Sequence, residues 1–166
     1  MKNYTIEKVK LGDENTLAFI QTESWKYAFK DILSAEILEK CTNLKKARIM
    51  YCKLIENQKG NGYILKIEGE PHCIAWWDVS RSEDMNGYAE LICIHSLKEN
   101  WGKGYGSKMM EKVLDDMKTA GYSKVMLWVF EENHRARKFY ERHGFNTKMK
   151  IKPSVCPIEI CYEKNL

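Results

Sequence analysis

A glycine-rich segment, WGKGYGS at positions 101–107, separates a predicted strand from a predicted helix. Gly102, Gly104 and Gly106 let the backbone approach a ligand closely. The N–H groups at a helix start add roughly half a unit of positive charge, which favours an anion. The segment therefore predicts a cradle for pyrophosphate, while a plain strand-to-helix turn stays open as the simpler reading.

Two common phosphate motifs fit this segment poorly. A P-loop has the pattern G-x-x-x-x-G-K-[ST], which the chain lacks. A dinucleotide fingerprint has the pattern G-x-G-x-x-G, whereas Ser107 stands where its last glycine belongs. The segment also does not open the first strand-helix unit of the chain. An enzyme that binds a nucleotide or dinucleotide here remains an alternative.

Three polar side chains on the flanking segments could also take part in catalysis or binding. Glu90 lies in the apolar run 88–96, where a carboxylate either faces solvent or is buried with a partner. Asn133 stands at the start of a predicted helix, and asparagine is among the best N-cap residues. Tyr140 lies on the apolar face of that helix, so its spacing alone indicates core packing.

Periodicity and turn chemistry predict the elements that position these residues. Alternation predicts a strand at 4–10, and helical spacing predicts helices at 14–29, from 34 onward and at 44–55. Asp13 and Ser34 are the expected caps of the first two helices. Three β-prone runs, at 62–68, 72–80 and 87–97, then predict an antiparallel meander.

The second half alternates helices and strands. A helix at 105–120 is expected to stop at Gly121, and the continuous apolar run 125–130 predicts a strand buried on both faces. A helix follows from Asn133 to Gly144, and two closing strands are predicted at 145–151 and 158–162. Length and order together indicate one α+β domain over residues 1–166.

Several aromatic residues are predicted to pack rather than react. Trp76 and Trp77 must point to opposite faces of a regular strand, so that one belongs to the core and the other can line a cleft. Trp25, Tyr27 and Phe29 are interpreted as packing residues, with the alternative that one of them reaches the acceptor site.

Composition excludes several other classes of function. The net charge of +4 is spread along the chain, so nucleic-acid binding is unsupported. The six cysteines contain no C-x-x-C pair, and neither they nor the four histidines have ligand spacing, so no metal is expected. No apolar run reaches the roughly 18 residues of a membrane span, and the first ten residues lack a leader pattern. A cytoplasmic location without membrane association is the expectation.

Three segments in this order resemble the successive motifs of the GCN5-related N-acetyltransferase superfamily. They are YAELICIHS at 88–96, GKGYGS at 102–107 and ENHRARKFYERHGF at 132–145. The resemblance covers about a third of the chain in detail. It implies a mixed, mostly antiparallel central sheet flanked by helices, with two strands splayed apart where acetyl-CoA binds.

The resemblance also implies roles for individual residues. The strand before the loop would bind the pantetheine arm through its backbone, at Ile94, His95 and Ser96. Loop amides would hold the pyrophosphate, at Gly102, Lys103, Gly104, Tyr105, Gly106 and Ser107. Asn133 would lie near the cofactor arm, Tyr140 beside the cofactor sulfur, and Glu90 at the position of a general base that often acts through water.

The function implied is transfer of an acetyl group from acetyl-CoA to an amine of a small molecule or peptide, by direct attack on the thioester. A non-catalytic acyl-CoA sensor with the same fold is the alternative. One departure is Trp101, which stands where the family usually has Gln or Arg, so a side-chain contribution to that turn is missing. The acceptor is not specified by any pattern, and oligomeric state is open, with a homodimer as one option.

Overall fold

A computed structural model describes residues 2–151 and 157–166. The described residues form one seven-stranded sheet and five α-helices. The strands are β1 (Tyr4–Lys8), β2 (Asn61–Ile67), β3 (Glu70–Val79), β4 (Ala89–Ser96), β5 (Lys124–Phe130), β6 (Asn146–Ile151) and β7 (Glu159–Asn165). The helices are α1 (Glu14–Ala28), α2 (Ala35–Cys41), α3 (Leu44–Glu56), α4 (Tyr105–Thr119) and α5 (His134–Arg142), with a 3₁₀ turn at Lys98–Asn100.

The sheet has the order β1-β2-β3-β4-β5-β7-β6. Only β4 and β5 pair in parallel; every other neighbouring pair of strands in the described sheet is antiparallel. The predicted α+β class, mixed sheet and order of elements are confirmed. Residues 152–156, which fall between the two predicted closing strands, lie outside the described residues.

Two apolar layers cover the sheet. On one face, α4 and α5 pack over a core that contains Leu91, Met109 and Leu127. On the other face, α1 and α3 pack over Ile64 and Ile74. Within the described residues, no helix combines the length and apolar character needed to cross a bilayer.

Helix ends follow the sequence in all but one case. The Ser34 hydroxyl accepts a hydrogen bond from the Ile37 N–H at 3.3 Å, as expected of a cap. Gly121, with φ of +94°, follows the end of α4 in the left-handed conformation that glycine tolerates. Asp13 occupies the N-cap position of α1 as predicted, but its side chain does not cap the helix: the carboxylate accepts the Lys10 N–H at 2.9 Å and makes no bond to the helix. The carboxylate closes the preceding turn, which competes with capping for the same acceptor.

Strand β4 contains a bulge that changes which side chains face which layer. Trp76 pairs with Cys93 whereas Trp77 pairs with Leu91, so Ile92 is an extra residue on β4. An extra residue reverses the alternation of side chains beyond it. Leu91 therefore packs under α4, while Cys93 packs on the side of α1 and α3.

The two adjacent tryptophans face opposite layers, as predicted. Trp77 is buried in the core beneath α4, and Trp76 is buried on the side of α1 and α3. Trp76 is also the one that lines the large cavity described below.

Candidate active site

Strands β4 and β5 separate after a short contact. They pair only at Ala89 with Val125 and at Glu90 with Met126, although β4 continues to Ser96 and β5 to Phe130. Beyond this contact no strand of the described sheet covers the β5-facing edge of β4. Backbone groups on such an edge can pair with the amides of a ligand.

A cavity of about 1260 Å³ occupies this gap. Its walls come from both layers of the fold, since Tyr140 of α5 and Trp25 of α1 both line it. The cavity is larger than the roughly 300–1,000 Å³ of an ordinary small-molecule site, so it has room for two reactants. Ile94, His95 and Ser96 line it together with Gly102, Gly104, Gly106 and Ser107, and the structure thus brings these predicted cofactor residues to one place.

The glycine loop has the backbone geometry of an anion site. Gly102 and Gly104 have φ of +75° and +88°, a left-handed conformation in which a side chain would be strained. A Cβ atom built on Gly102 meets no atom within 4 Å. Gly104 is the N-cap of α4 and provides no side-chain cap, so the N–H groups of the first turn have no partner within the helix. These groups point out of the helix start toward the cavity wall that Gly104, Gly106 and Ser107 form.

Two predicted cofactor residues, Lys103 and Tyr105, do not line the cavity. The Lys103 ammonium donates to the Glu99 carbonyl at 3.0 Å and to Asn100 Oδ1 at 2.8 Å, and its side chain is not among the described groups that line the cavity. Tyr105 is buried in the core, and its hydroxyl accepts the Lys2 N–H at 3.0 Å. Both side chains thus stabilise the loop and the start of α4.

Helix α5 presents Asn133 and Tyr140 to the cavity. Asn133 Oδ1 accepts the Ala136 N–H at 3.2 Å, which confirms it as the N-cap, and the residue also lines the cavity. Tyr162 of β7 fixes the helix: its hydroxyl accepts from Arg137 at 3.1 Å and donates to Glu141 at 2.7 Å.

Tyr140 lies between the core and the cavity. Its side chain is 9% exposed, and its ring packs edge-on against Phe139 and Phe145. Burial raises the pKa of its phenol well above the ordinary value, with a smaller upward effect from Cys93 and a downward one from Arg135. The phenol therefore stays protonated at neutral pH and can donate a proton or hydrogen bond into the cavity.

Glu90 is buried and paired. Its side chain is 2% exposed, and both of its oxygens accept from the Arg81 guanidinium, at 2.6 and 3.1 Å. The Arg81 backbone N–H adds a third hydrogen bond at 2.9 Å. Arg81 lines the cavity, whereas Glu90 is not among the described residues that do so. The carboxylate is thus next to the cavity and separated from it by its partner.

His95 faces α1 because of the bulge at Ile92. Trp25 donates its indole N–H to Nε2 of His95 at 3.2 Å, which places the imidazole proton on Nδ1. Burial lowers the pKa of His95 to about 4, so the ring is neutral at physiological pH. A neutral ring whose Nε2 is already engaged is a wall of the site rather than a base.

Sequence reasoning missed the aromatic wall opposite Tyr140. Trp25 and Phe29 were interpreted as packing residues, but both line the cavity. Their ring centroids lie 5.0 Å apart, and Phe29 lies 5.1 Å from Phe130 of β5. This row, Trp25, Phe29 and Phe130, bridges the splayed strands on the α1 side. The four-residue spacing of Trp25 and Phe29 placed them on one helix face, but no pattern in the sequence indicated that a gap lay beneath that face.

Arg135 was missed as well. Its guanidinium carbon lies 3.4 Å from the centroid of the Trp101 ring, and both residues line the cavity. Partial burial lowers the pKa of Arg135 from its usual value, although the group stays charged. Trp101 in turn donates its indole N–H to the carbonyl of Ser96 at 2.8 Å, which joins the end of β4 to the loop.

Comparison with known proteins identifies this arrangement. The family model described as the acetyltransferase (GNAT) family matches residues 20–145. The chain belongs to the GNAT family. The match includes β4, the glycine loop, α5 and the residues after it as far as Phe145, which are the segments that the sequence singled out. Acetyl transfer is the reaction of this family, and the resemblance stated above is confirmed.

Three similar proteins illustrate the range of the family. N-alpha-acetyltransferase 30 of Schizosaccharomyces pombe is 37% identical over 68 residues, which are 41% of this chain and 44% of that protein. An uncharacterised N-acetyltransferase of Bacillus subtilis, YuaI, is 25% identical over 78% of this chain and 73% of its own. The crystal structure of PaiA N-acetyltransferase from Thermoplasma acidophilum in complex with coenzyme A has a TM-score of 0.82 at 21% identity, with 99% of both chains covered.

Proposed function

We propose that this protein transfers an acetyl group from acetyl-CoA to a primary amine of a small molecule or peptide. The observation that carries the proposal is the gap between β4 and β5, which has a glycine loop at one end and a buried, protonated tyrosine on its wall. An enzyme that binds only a nucleotide would need the glycine loop but not the splayed strands. The splayed strands favour a ligand that also has an extended amide-bearing arm, as coenzyme A does.

Each part of the chain would take one part of acetyl-CoA. The amides of the α4 start would bind the pyrophosphate, and the β5-facing edge of β4 at Ile94, His95 and Ser96 would pair with the pantetheine amides. The thioester would then lie deeper in the gap, near Tyr140. The aromatic wall of Trp25, Phe29 and Phe130 would border the acceptor, since it lines the cavity on the layer opposite α5.

Proton removal from the acceptor is the larger chemical task. An alkylamine with a pKa near about 10.4 is mostly protonated at neutral pH, and freeing its lone pair costs about 4 to 5 kcal/mol. Re-protonating a thiolate whose thiol has a pKa of about 8.5 is favourable by only about 2 kcal/mol at neutral pH. A base on the acceptor side therefore has more effect on the rate than an acid on the sulfur.

Glu90 is our candidate for that base, acting through water. Its carboxylate is bound by Arg81, which itself lines the cavity. An amine in the cavity would therefore reach the carboxylate through a bridging water rather than by direct contact. The free amine would attack the thioester carbonyl directly. The C–N bond forms and the C–S bond breaks. The nitrogen gives up its proton to the water bound at Glu90, the Tyr140 phenol protonates the departing sulfur, and the resulting phenolate recovers a proton from solvent.

A screen of amines that follows CoA release tests the proposal. We expect acetyl-CoA alone to raise the unfolding temperature and at least one amine class to release CoA with first-order dependence on enzyme. Binding of acetyl-CoA without turnover of any amine would favour the alternative acyl-CoA sensor. Stabilisation by ATP or NAD but not by acetyl-CoA would contradict both.

A further inference from the structure

The Arg135 side chain stacks on Trp101, the residue before the first glycine of the loop. The Arg135 guanidinium carbon is 3.4 Å from the Trp101 ring centroid, well within the roughly 6 Å over which a cation and an aromatic face attract each other. Trp101 occupies the position where the resemblance places Gln or Arg, so the loop itself lacks that polar side chain. Arg135 brings a charge to the same turn from α5, an element that lies 34 residues further along the chain.

Among the residues that the structure describes, this charge faces the cavity without an acidic partner. None of the ion pairs found in residues 2–151 and 157–166 includes Arg135. Lys103, the cation within the loop, is instead directed to Glu99 and Asn100. Arg135 is thus the cationic side chain that both lines the cavity and touches the residue next to the loop amides.

The stacked geometry suits one kind of ligand. A guanidinium is planar, so one face can rest on an indole while the N–H groups at its edge remain available. Those groups can donate two parallel hydrogen bonds to the oxygens of a phosphate, and such charge-assisted pairs are stronger than neutral ones. A lysine would offer a point charge without this pre-arranged fork.

We propose that Arg135 binds the diphosphate of coenzyme A and that Trp101 is the positioning residue that holds the guanidinium beside the glycine loop. The inference rests on the proposed function and deepens it by assigning a side chain to cofactor affinity. It also explains how the loop tolerates the loss of a polar residue at position 101: the pair formed by Trp101 and Arg135 replaces it.

Calorimetric titration of coenzyme A and of 3′-dephospho-CoA, without acceptor, tests the assignment. Arg135→Gln should weaken binding of both ligands by roughly 10-fold or more, because a hydrogen-bonded charge is lost. The affinity of Arg135→Lys should fall between that of the wild type and that of Arg135→Gln. Lys138→Gln removes the same charge from another exposed position of the same helix, one that does not line the cavity, and should bind coenzyme A as the wild type does. Equal losses in Arg135→Gln and Lys138→Gln, or a loss that vanishes with 3′-dephospho-CoA, would overturn the diphosphate contact.

A double-mutant cycle tests the role of Trp101. Trp101→Leu should weaken binding in the wild type but much less in Arg135→Gln, because it acts through the guanidinium. Trp101→Phe loses the hydrogen bond to Ser96 but keeps an aromatic face for the guanidinium. Because that face positions Arg135, this variant should retain most of the affinity for coenzyme A. Additive losses, or a Trp101→Phe variant as weak as Trp101→Leu, would show that the stack does not position Arg135.

The same titrations separate this inference from the proposed function. A wild type that binds no coenzyme A would end the proposed function itself. A wild type that binds it and an Arg135→Gln variant that binds equally well would end only the assignment of Arg135. Unfolding midpoints without ligand show whether each variant is folded.

Discussion

Arg81 binds both carboxylate oxygens of Glu90, at 2.6 and 3.1 Å, and thereby stands between the candidate base and the cavity. The guanidinium compensates for the cost of burying a charge in a strand. Three hydrogen bonds from Arg81 also occupy the carboxylate oxygens, so an amine could contact them directly only by displacing Arg81. A base in this setting works through water or in concert with a movement of Arg81.

Glu90→Gln should lower kcat by roughly 10²-fold or more near neutral pH, the lower end of a typical acid-base contribution. The deficit should shrink as rising pH deprotonates the amine without help. A pH-rate profile at saturating acetyl-CoA measures it. Because Gln leaves Arg81 with a neutral partner, the unfolding temperature should also fall. The measured activity must therefore be normalised to the fraction of folded protein.

Asp78→Asn is the matched control for that profile. Asp78 pairs with Glu90 across β3 and β4 and lines the cavity. If Asp78→Asn shows the pH-dependent deficit and Glu90→Gln does not, the base is Asp78. If neither variant changes the profile, the proton leaves through solvent.

Gly104→Glu should abolish stabilisation by acetyl-CoA. The change puts a side chain and a negative charge at the start of α4, where the amides would meet pyrophosphate. Gly121→Glu is the control, because Gly121 has nearly the same φ, +94° against +88°, and lies beyond the other end of α4. Both variants should lose similar stability without ligand, and only Gly121→Glu should gain stability with acetyl-CoA in a thermal-shift measurement. Retained ligand stabilisation in Gly104→Glu would place the pyrophosphate elsewhere.

His95 should make the protein less stable in acid. Its pKa is about 4 when folded against an ordinary value of 6.5, so the unfolded chain binds more protons between these two pH values. The contribution of His95 to the free energy of unfolding is fully present above pH 6.5. It decreases as pH falls toward 4, by up to about 3 kcal/mol. His95→Gln keeps an acceptor for the Trp25 indole and should flatten that part of the curve.

Denaturant unfolding at several pH values gives the comparison. A His95→Gln variant whose stability falls between pH 6.5 and 4 as steeply as that of the wild type would show that other groups, such as the buried His72, account for the acid loss.

The sequence was sufficient for the parts of the site that depend on local chemistry. Glycine spacing specified the loop, and the Asn133 cap and the Tyr140 helix followed from side chains a few residues apart. Asp13 shows the limit of local rules, because a turn and a helix compete for the same carboxylate.

Contacts between distant segments could not be predicted in this way. Trp25 meets His95 across 70 positions, and it does so only because the extra residue at Ile92 turns His95 toward α1. The stack of Arg135 on Trp101 likewise joins two elements whose relative position depends on the packing of the whole sheet. Neither a bulge nor a stack between a loop residue and a helix residue has a composition that marks it in advance.

Tyr140→Phe should reduce kcat with little change in the affinity for acetyl-CoA. The substitution removes only the hydroxyl, and the ring keeps its packing against Phe139 and Phe145. Burial raises the pKa of this phenol, so the wild-type group stays a proton donor across the neutral and mildly alkaline range. The deficit should be largest at low pH and least where the thiolate can leave unprotonated.

The measurement is a pH-rate profile of Tyr140→Phe with the best amine found in the screen, combined with acetyl-CoA titration. Phe139→Leu, a packing change on the neighbouring residue, is the control, because a structural effect would alter stability and affinity without this dependence on pH. If Tyr140→Phe matches the wild type at every pH, the tyrosine is a packing residue here. The proton for sulfur would then come from water, and the gap between β4 and β5 would act by orientation alone.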